Sequence, residues 1–409
     1  MKEKYKISLM IKKKSEIGVP KGYIFSTGEA AIKKPGRKDI ALICSETEAN
    51  IAGAFTTNSV KAAPVKLNLK NIKSGKGQAI IINSGNANAC TGKKGLQDAV
   101  ETASLTAKAL KIKPSLVYVC STGVIGTPMP MERIRPIIPE LAANAGKSNL
   151  EHVAAAIMTT DTFPKVIKKK VKINNRTGTV AGICKGAGMI CPNMATMLCF
   201  IITDMAIAKK TLSKTIKDSV KKSFNRITID GDMSTNDTTL IMANGMLGNP
   251  ELTEKSASYK AFKKSLDEIT YELSKLIVKD GEGATKFIEI EVKGSVNEKI
   301  AEKAAFAVAN SNLVKTAIYG NDANWGRIMA ALGYSGIDFK EEKSDIYLGN
   351  IKVVSGGIGT GKDLDANKYL KNNREVNILI NLNKGKASAK VLTCDLTEEY
   401  VRVNAEYRT

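Results

Sequence analysis

Histidine is almost missing from this chain: His152 stands alone in 409 residues. A serine or cysteine nucleophile that borrows an imidazole therefore has one candidate base. His152 falls in ELAANAGKSNLEHVAAAIM, a stretch that reads as helix with apolar neighbours Val153 and Ile157. A surface or half-buried helical residue is the expectation there. The seven cysteines (44, 90, 120, 184, 191, 199 and 394) are odd in number and show no CxxC spacing. With one histidine they supply no zinc set, and reduced, mostly buried thiols are expected without metal. Aromatics are only 5% of the chain, too few for a platform that stacks single-stranded nucleic acid. Long apolar runs are also absent, which excludes a membrane helix. The basic start MKEKYKISLMIKKK has too short an apolar core for a signal segment, so a cytoplasmic protein with no membrane partner is expected.

Charge is not scarce, but it is lopsided. Lysine and arginine number 62 against 40 acidic residues, a net charge of +22. The lysines are scattered, with short clusters only at Lys12–Lys14, Lys168–Lys170 and Lys221–Lys222. Such a pattern reads as a solvated surface that favours anionic small molecules, not as a nucleic-acid stripe.

One stretch organises the rest: Lys185 to Asp204, KGAGMICPNMATMLCFIITD. Met197–Thr203 is apolar without alternation, the pattern of a strand buried on both faces. Before it, Gly186, Gly188 and Pro192 force a tight, exposed loop. Thr196 stands at the junction. It is either a β-branched residue opening a strand or a nucleophile presented at the strand's mouth. With no second histidine, a free α-amine (unperturbed pKa about 7.7–8.0) is the available base. An internal threonine gains that amine only if the chain cuts itself at Ala195-Thr196, which yields a recognised activated nucleophile.

The remaining segments alternate between element types, and the length suits one large or two ordinary cores. Ala79–Asn83 reads as a buried strand running into SGNANACTG, followed by a helix at Leu96–Leu110. Strand Leu116–Cys120 leads to a loop at Ser121-Thr122-Gly123, whose backbone N–H groups suit an anion or an oxyanion. Residues 132–158 read as helical, ending in the hydroxyl-rich run Met158 to Thr162. Strand Val180–Cys184 delivers Lys185. Helix Lys209–Phe224 and strand Arg226–Ile229 precede the loop DGDMSTND (230–237), read as hydrogen-bonded without metal because the EF-hand spacing is not met. Helix Tyr259–Lys279 leads to Glu282 in a glycine-flanked loop. Beyond a helix at Ile300–Ala317 and strands at 345–354, GGIGTGKD (356–363) nearly matches a P-loop, yet Asp363 stands where a magnesium-binding hydroxyl belongs. Strands are expected at 376–382, 389–395 and 399–404.

The segments NSGNANACTG (83–92), STGVIG (121–126), MTTDT (158–162), KGAGMI-x-PNMATML, DGDMSTNDT (230–238), DGEGATK (280–286), GNDANWGRI (320–328) and NAEYRT (404–409) are together similar to one family. In this order the chain resembles the ornithine acetyltransferases, also called glutamate N-acetyltransferases or bifunctional arginine-biosynthesis acetyltransferases. The resemblance implies an α/β fold, a two-domain layered α/β sandwich of the self-cleaving ornithine acetyltransferase and aminopeptidase type. The break between domains is expected near the cleavage point or somewhat after it. Residues 1–195 would form a fragment carrying the oxyanion hole, Thr122 and Gly123. Residues 196–409 would begin with the nucleophile, Thr196, and carry a smaller C-terminal domain. Thr159, Lys185, Glu282, Asn404 and Thr409 are implied in substrate binding, with Glu282 taking the substrate's ammonium. The implied reaction moves acetyl from N2-acetylornithine to glutamate through acetyl-Thr196. No cofactor is implied, and acetyl-CoA as a second donor stays open. The cleaved fragments are implied to assemble as a heterotetramer of two of each. A related self-cleaving aminopeptidase, with water as acceptor, is the alternative.

Overall fold

The computed structural model describes residues 17–191 and 197–406; Ala195, Thr196 and Thr409 lie outside the described residues. Strands β1 (Tyr23–Gly28), β2 (Ile40–Phe55), β3 (Lys76–Asn86), β4 (Val117–Val124), β5 (Lys165–Ile173), β6 (Arg176–Lys185), β7 (Leu198–Thr203) and β8 (Thr238–Ala243) form one hydrogen-bonded set. Its order is β4-β3-β2-β8-β7-β6-β5, with β1 paired to β2. Its helices are α1 (Ala63–Asn71), α2 (Gly92–Leu110), α3 (Met131–Ala143), α4 (Leu150–Ala156), α5 (Lys209–Lys222) and α6 (Tyr259–Lys279).

The 16-residue strand β2 turns this set into two layers. Its ladder with β3 is irregular between Cys44 and Ala49. Ile40–Ser45 pair with β1, whereas Asn50–Phe55 pair with β8. Three apolar cores give the stacking. Leu42, Ile81 and Val119 pack with Ala103 of α2 and Ile134 of α3. On the inner side, Ile43, Ile82 and Tyr118 share a core with Phe200, Ile202 and Met242. Cys199, Ile201 and Ile241 pack outward with Ile216 of α5 and Leu266 and Ile269 of α6. The layers therefore run helix, sheet, sheet, helix. Tyr23 stitches the inner faces by donating from Oη to the carbonyls of Thr203 and Met242.

β7 is the strand read from the unalternated run, and all six of its residues are buried. Successive side chains point to opposite faces, so Phe200 and Ile202 enter one core while Cys199 and Ile201 enter the other. A fully buried side chain of this kind contributes about 1.5–3 kcal/mol.

A second unit begins at β9 (Phe287–Ser295). It continues through α7 (Glu298–Ala309), α8 (Asn312–Tyr319), α9 (Trp325–Tyr334), β10 (Asp345–Leu348), β11 (Ile351–Ser355), β12 (Ile358–Gly359), α10 (Asp363–Asn372), β13 (Glu375–Asn381) and β14 (Ala387–Cys394). The six strands run in the order β12-β11-β10-β13-β9-β14 over their own core. The last helix, α11 (Glu398–Glu406), buries none of its side chains. The second sheet starts well past residue 196, so the expected cut falls inside the first unit, between paired neighbours β6 and β7.

Several sequence readings give way to local chemistry. The helix expected over 132–158 is two helices: Gly146 adopts a φ of +98°, and Asn149 starts α4 by accepting the His152 N–H. The helix expected at 300–317 breaks at Asn310-Ser311, where the Ser311 hydroxyl caps α8. Residues 226–229 form no strand; after a 3-10 turn, Ile227 makes an isolated bridge to Leu392. Residues 399–404 are helical, because the Thr397 hydroxyl accepts the Tyr400 N–H and Glu398 and Glu399 occupy the first turn. Ser121, Thr122 and Gly123 belong to β4, paired in register with β3, rather than to a free loop. Gly356 and Gly357 turn the β11–β12 hairpin, not a strand-to-helix phosphate cradle. Five of the seven thiols are buried and all seven are free.

Candidate active site

β3 and β4 run parallel and end together, pairing Ser84 with Thr122 and Gly85 with Gly123. Two of the segments singled out in the sequence thus lie side by side. Their approach is so close at Gly123 that a Cβ there would stand 2.3 Å from the Gly85 carbonyl carbon and 2.5 Å from the Asn86 nitrogen. Its φ of +135° also lies outside the range of ordinary side chains. Gly123→Ala is expected to force the strand ends apart at a cost of about 1–3 kcal/mol and to misplace Thr122. Thermal melting and kcat measured on one preparation check both parts.

The carboxyl end of β6 brings Lys185 to the same place. Its Nζ donates to Thr122 Oγ1 at 3.1 Å, and the side chain is buried. Burial pulls the Lys185 ammonium below the ordinary lysine range; Asp161 opposes that and Lys165 adds to it. A cation under that pressure gains from pairing with an incoming carboxylate.

Behind it sits a buried ion cluster. Lys165, fully inaccessible, donates to Asp161 Oδ1 at 2.7 Å and to Asp280 Oδ2 at 2.5 Å. Asp161 also accepts from Gly186 N at 2.7 Å and Thr159 N at 3.1 Å. Asp280 accepts from both the backbone and the hydroxyl of Thr162. Burial pushes the Asp161 carboxyl up, but Lys165 and Lys185 together override it and bring it down to about 2. The cluster therefore clamps the 158–162 segment and the 185–188 loop to one another.

The far wall comes from later in the chain. Asp230 accepts from Met189 N at 2.5 Å and Ile190 N at 2.7 Å, and Tyr400 Oη donates to it at 3.3 Å. Glu282 N donates to the Ala187 carbonyl, and Asn404 Nδ2 donates to Glu282 Oε2 at 2.9 Å. Gly188 makes room for this carboxylate: a Cβ there would lie 2.3 Å from Oε2. Thr122, Gly123, Thr159, Lys185, Glu282 and Asn404 all line one cavity of ≈ 230 Å³. It carries a buried cation on one side and a carboxylate on the other, which complements an amino acid.

A model of the ArgJ family matches residues 24–409. The chain belongs to the ArgJ family. It is 52% identical to the arginine biosynthesis bifunctional protein ArgJ of Geobacter sulfurreducens, over 95% of this chain and 99% of that one. The ArgJ of Caldanaerobacter subterraneus subsp. tengcongensis is 48% identical, over 96% and 98%. The crystal structure of ArgJ from Bacillus halodurans shares 44% identity with a TM-score of 0.50, covering 51% of this chain and 98% of its own.

Against this ArgJ frame, six of the site residues marked from sequence line one cavity, while Ala195, Thr196 and Thr409 lie outside the described residues. His152 is exposed and spent on a cap, with Nδ1 accepting from Asn149 N at 3.5 Å. Sequence reasoning missed Thr160, Asn236 and Tyr400 as lining residues. Asn236 donates to the carbonyls of Ala87 and Ser121 at 2.6 and 2.7 Å, tying the β3 and β4 ends together. The DGDMSTND loop had signalled that neighbourhood without naming its members. Tyr400 was hidden because residues 399–404 were expected as a strand, whereas they belong to α11.

Proposed function

We propose that this chain is a self-cleaving acetyltransferase of arginine biosynthesis, moving acetyl from N2-acetylornithine to glutamate. The convergence of Thr122, Gly123, Lys185, Glu282 and Asn404 on one amino-acid-sized cavity carries the reading. In the first step the Thr196 hydroxyl attacks the Ala195 carbonyl, and hydrolysis of the ester frees the Thr196 amine. That amine then accepts the proton of its own hydroxyl as Oγ attacks the acetyl carbonyl. Thr122 and Gly123 hold the resulting oxyanion; one such donor is worth about 2.7–4 kcal/mol. Ornithine leaves as its α-nitrogen takes the proton, and the α-amine of glutamate resolves acetyl-Thr196. Lys185 receives the substrate carboxylate, Glu282 the side-chain ammonium, and Thr159, Asn404 and Thr409 complete the contacts.

The fragments stay together because the sheet is shared across the cut. β6 pairs with β7, and β2 with β8, by continuous ladders. In keeping with a cut, the Bacillus halodurans chain is matched over 98% of itself yet spans only 51% of this one. We further propose a cytoplasmic heterotetramer of two of each fragment, and acetyl-CoA as a second donor, which the relatives' description as bifunctional supports.

Supplying N2-acetylornithine with and without glutamate tests the reaction. Acetylglutamate formation that requires glutamate supports transfer, while equally fast acetate release without glutamate makes the enzyme a hydrolase. Glu282→Gln is expected to raise KM for acetylornithine about tenfold to a hundredfold, since a hydrogen bond to a charged group is worth about 1.5–3 kcal/mol. Unchanged kinetics would remove Glu282 from the substrate site.

A further inference from the structure

Asn236 is buried in the cavity wall. Its Nδ2 donates to the Ala87 carbonyl at 2.6 Å and the Ser121 carbonyl at 2.7 Å, while its Oδ1 accepts from the Thr235 hydroxyl at 2.6 Å. Turned the other way, the amide would press an oxygen against two carbonyl oxygens, so its neighbours fix which end is which. A side-chain amide carries two N–H donors, and both are spent on backbone. None is left for a substrate, although the residue lines the cavity. The rest of Asn236 is held too: its N–H donates to Ser234 Oγ at 3.1 Å, and its carbonyl accepts from Thr238 Oγ1 at 2.9 Å. The Thr235 carbonyl accepts from Ala62 N at 3.0 Å. The two strand ends that this amide joins need an outside hold, because the β3–β4 ladder shifts register between Gly85 and Asn86. Strand pairing alone therefore does not set the tilt of the last peptides.

We propose that Asn236 is the positioning residue of the oxyanion hole, aiming Thr122 and Gly123 by its hold on the Ser121 carbonyl. The inference rests on the acetyl-transfer reading above. The Ser121 carbonyl and the Thr122 N–H belong to one planar peptide. Holding that carbonyl fixes the plane, and with it the direction in which Thr122 and Gly123 leave it. The second bond, to Ala87, ties the same amide to the end of β3, so the two strand ends cannot tilt independently. Asn236 lies 115 positions beyond Ser121 and 149 beyond Ala87, on the later side of the Ala195-Thr196 junction. It leads into β8, whose Thr238 pairs with Leu198 of β7. The oxyanion strand of the earlier fragment is thus registered on the paired strands of the later one. Donors stabilise a developing charge only when they are aimed before it forms, and this amide sets that aim.

The test measures kcat and KM for N2-acetylornithine with saturating glutamate, per folded and cut chain, with the urea midpoint and a denaturing gel on the same preparation. Asn236→Asp keeps the shape of the side chain but sets an oxygen against the Ala87 and Ser121 carbonyls. It is expected to lower kcat about 100-fold, the effect of a misplaced catalytic group. KM should change little, because Glu282 and Asn404 are held without Ala87 or Ser121. Thr235→Val removes the hydroxyl that orients the amide and should lower kcat in the same way but less. A wild-type kcat in folded, cut Asn236→Asp overturns the proposal, even if its urea midpoint falls, since that is the mark of a purely structural role. A raised KM with unchanged kcat overturns it as well, in favour of a substrate contact. If Asn236→Asp yields no folded, cut chain, Thr235→Val decides, and a wild-type kcat there overturns the proposal. Failure of both variants to be cut assigns the amide to maturation and overturns it too. Wild-type enzyme that transfers no acetyl group sinks the underlying reading instead, an outcome distinct from these.

Discussion

Thr196→Ala stays a single chain of 409 residues and transfers no acetyl group. Two losses coincide in it. Without Oγ there is no attack on the Ala195 carbonyl, so the α-amine that would serve as base is never released. Without Oγ there is also nothing to carry the acetyl group. No rescue by His152 is available, because that imidazole is exposed and engaged in the α4 cap. Removing a nucleophile and its base together costs several orders of magnitude in kcat. A denaturing gel and an acetylornithine–glutamate assay on the same preparation read both effects. Thr196→Ser separates them, since it restores a hydroxyl: cutting and transfer should both return, at reduced rates. A Thr196→Ala protein that is cut, or that retains activity, would place the nucleophile elsewhere.

The second large effect is expected at Lys165, which touches no substrate. Lys165→Met keeps the stem of the side chain but leaves Asp161 and Asp280 facing one another without their cation. Breaking a buried ion pair by removing one partner costs about 3–5 kcal/mol, measurable as a shift in the urea midpoint at constant slope. The damage should also reach the cavity, because Asp161 holds Gly186 N and Thr159 N while Asp280 holds Thr162. KM is therefore expected to rise as well as stability to fall. Replacing all three by uncharged residues of similar size should recover much of the stability, since the buried charges are then gone. Recovery of stability without recovery of KM separates the positioning role of the cluster from its contribution to folding. Wild-type stability in Lys165→Met alone would mean that water relieves the carboxylates.

The legible parts of this protein were those where chemistry and local pattern agree. Met197–Thr203 announced a doubly buried strand because neither face alternates, and β7 has just that environment. The 21 residues of α6 were readable to their ends because Phe262, Leu266, Ile269, Leu273 and Ile277 repeat at helical spacing. Of the site, the resemblance supplied the members and the fold gathered six of them into one cavity. What stayed hidden was non-local. Nothing near Lys165, in a run of valines, isoleucines and lysines, marks it from its exposed neighbours; its burial depends on Asp280, 115 positions away. Tyr400 and Asn404 fall in 399–404, expected as a strand, yet the Thr397 cap decides for helix. The bend in β2 that creates two layers is a register irregularity, invisible until both partner strands are known.

The central claim is that a threonine freed by self-cleavage carries the acetyl group. Intact-mass spectrometry of the purified protein, mixed briefly with N2-acetylornithine in the absence of glutamate, tests it most directly. The account predicts two chains, the later one beginning Thr-Met-Leu-Cys and heavier by one acetyl group, with that mass lost when glutamate is added. A single uncut chain that is fully active, or an acetyl group found on the earlier fragment, would contradict it.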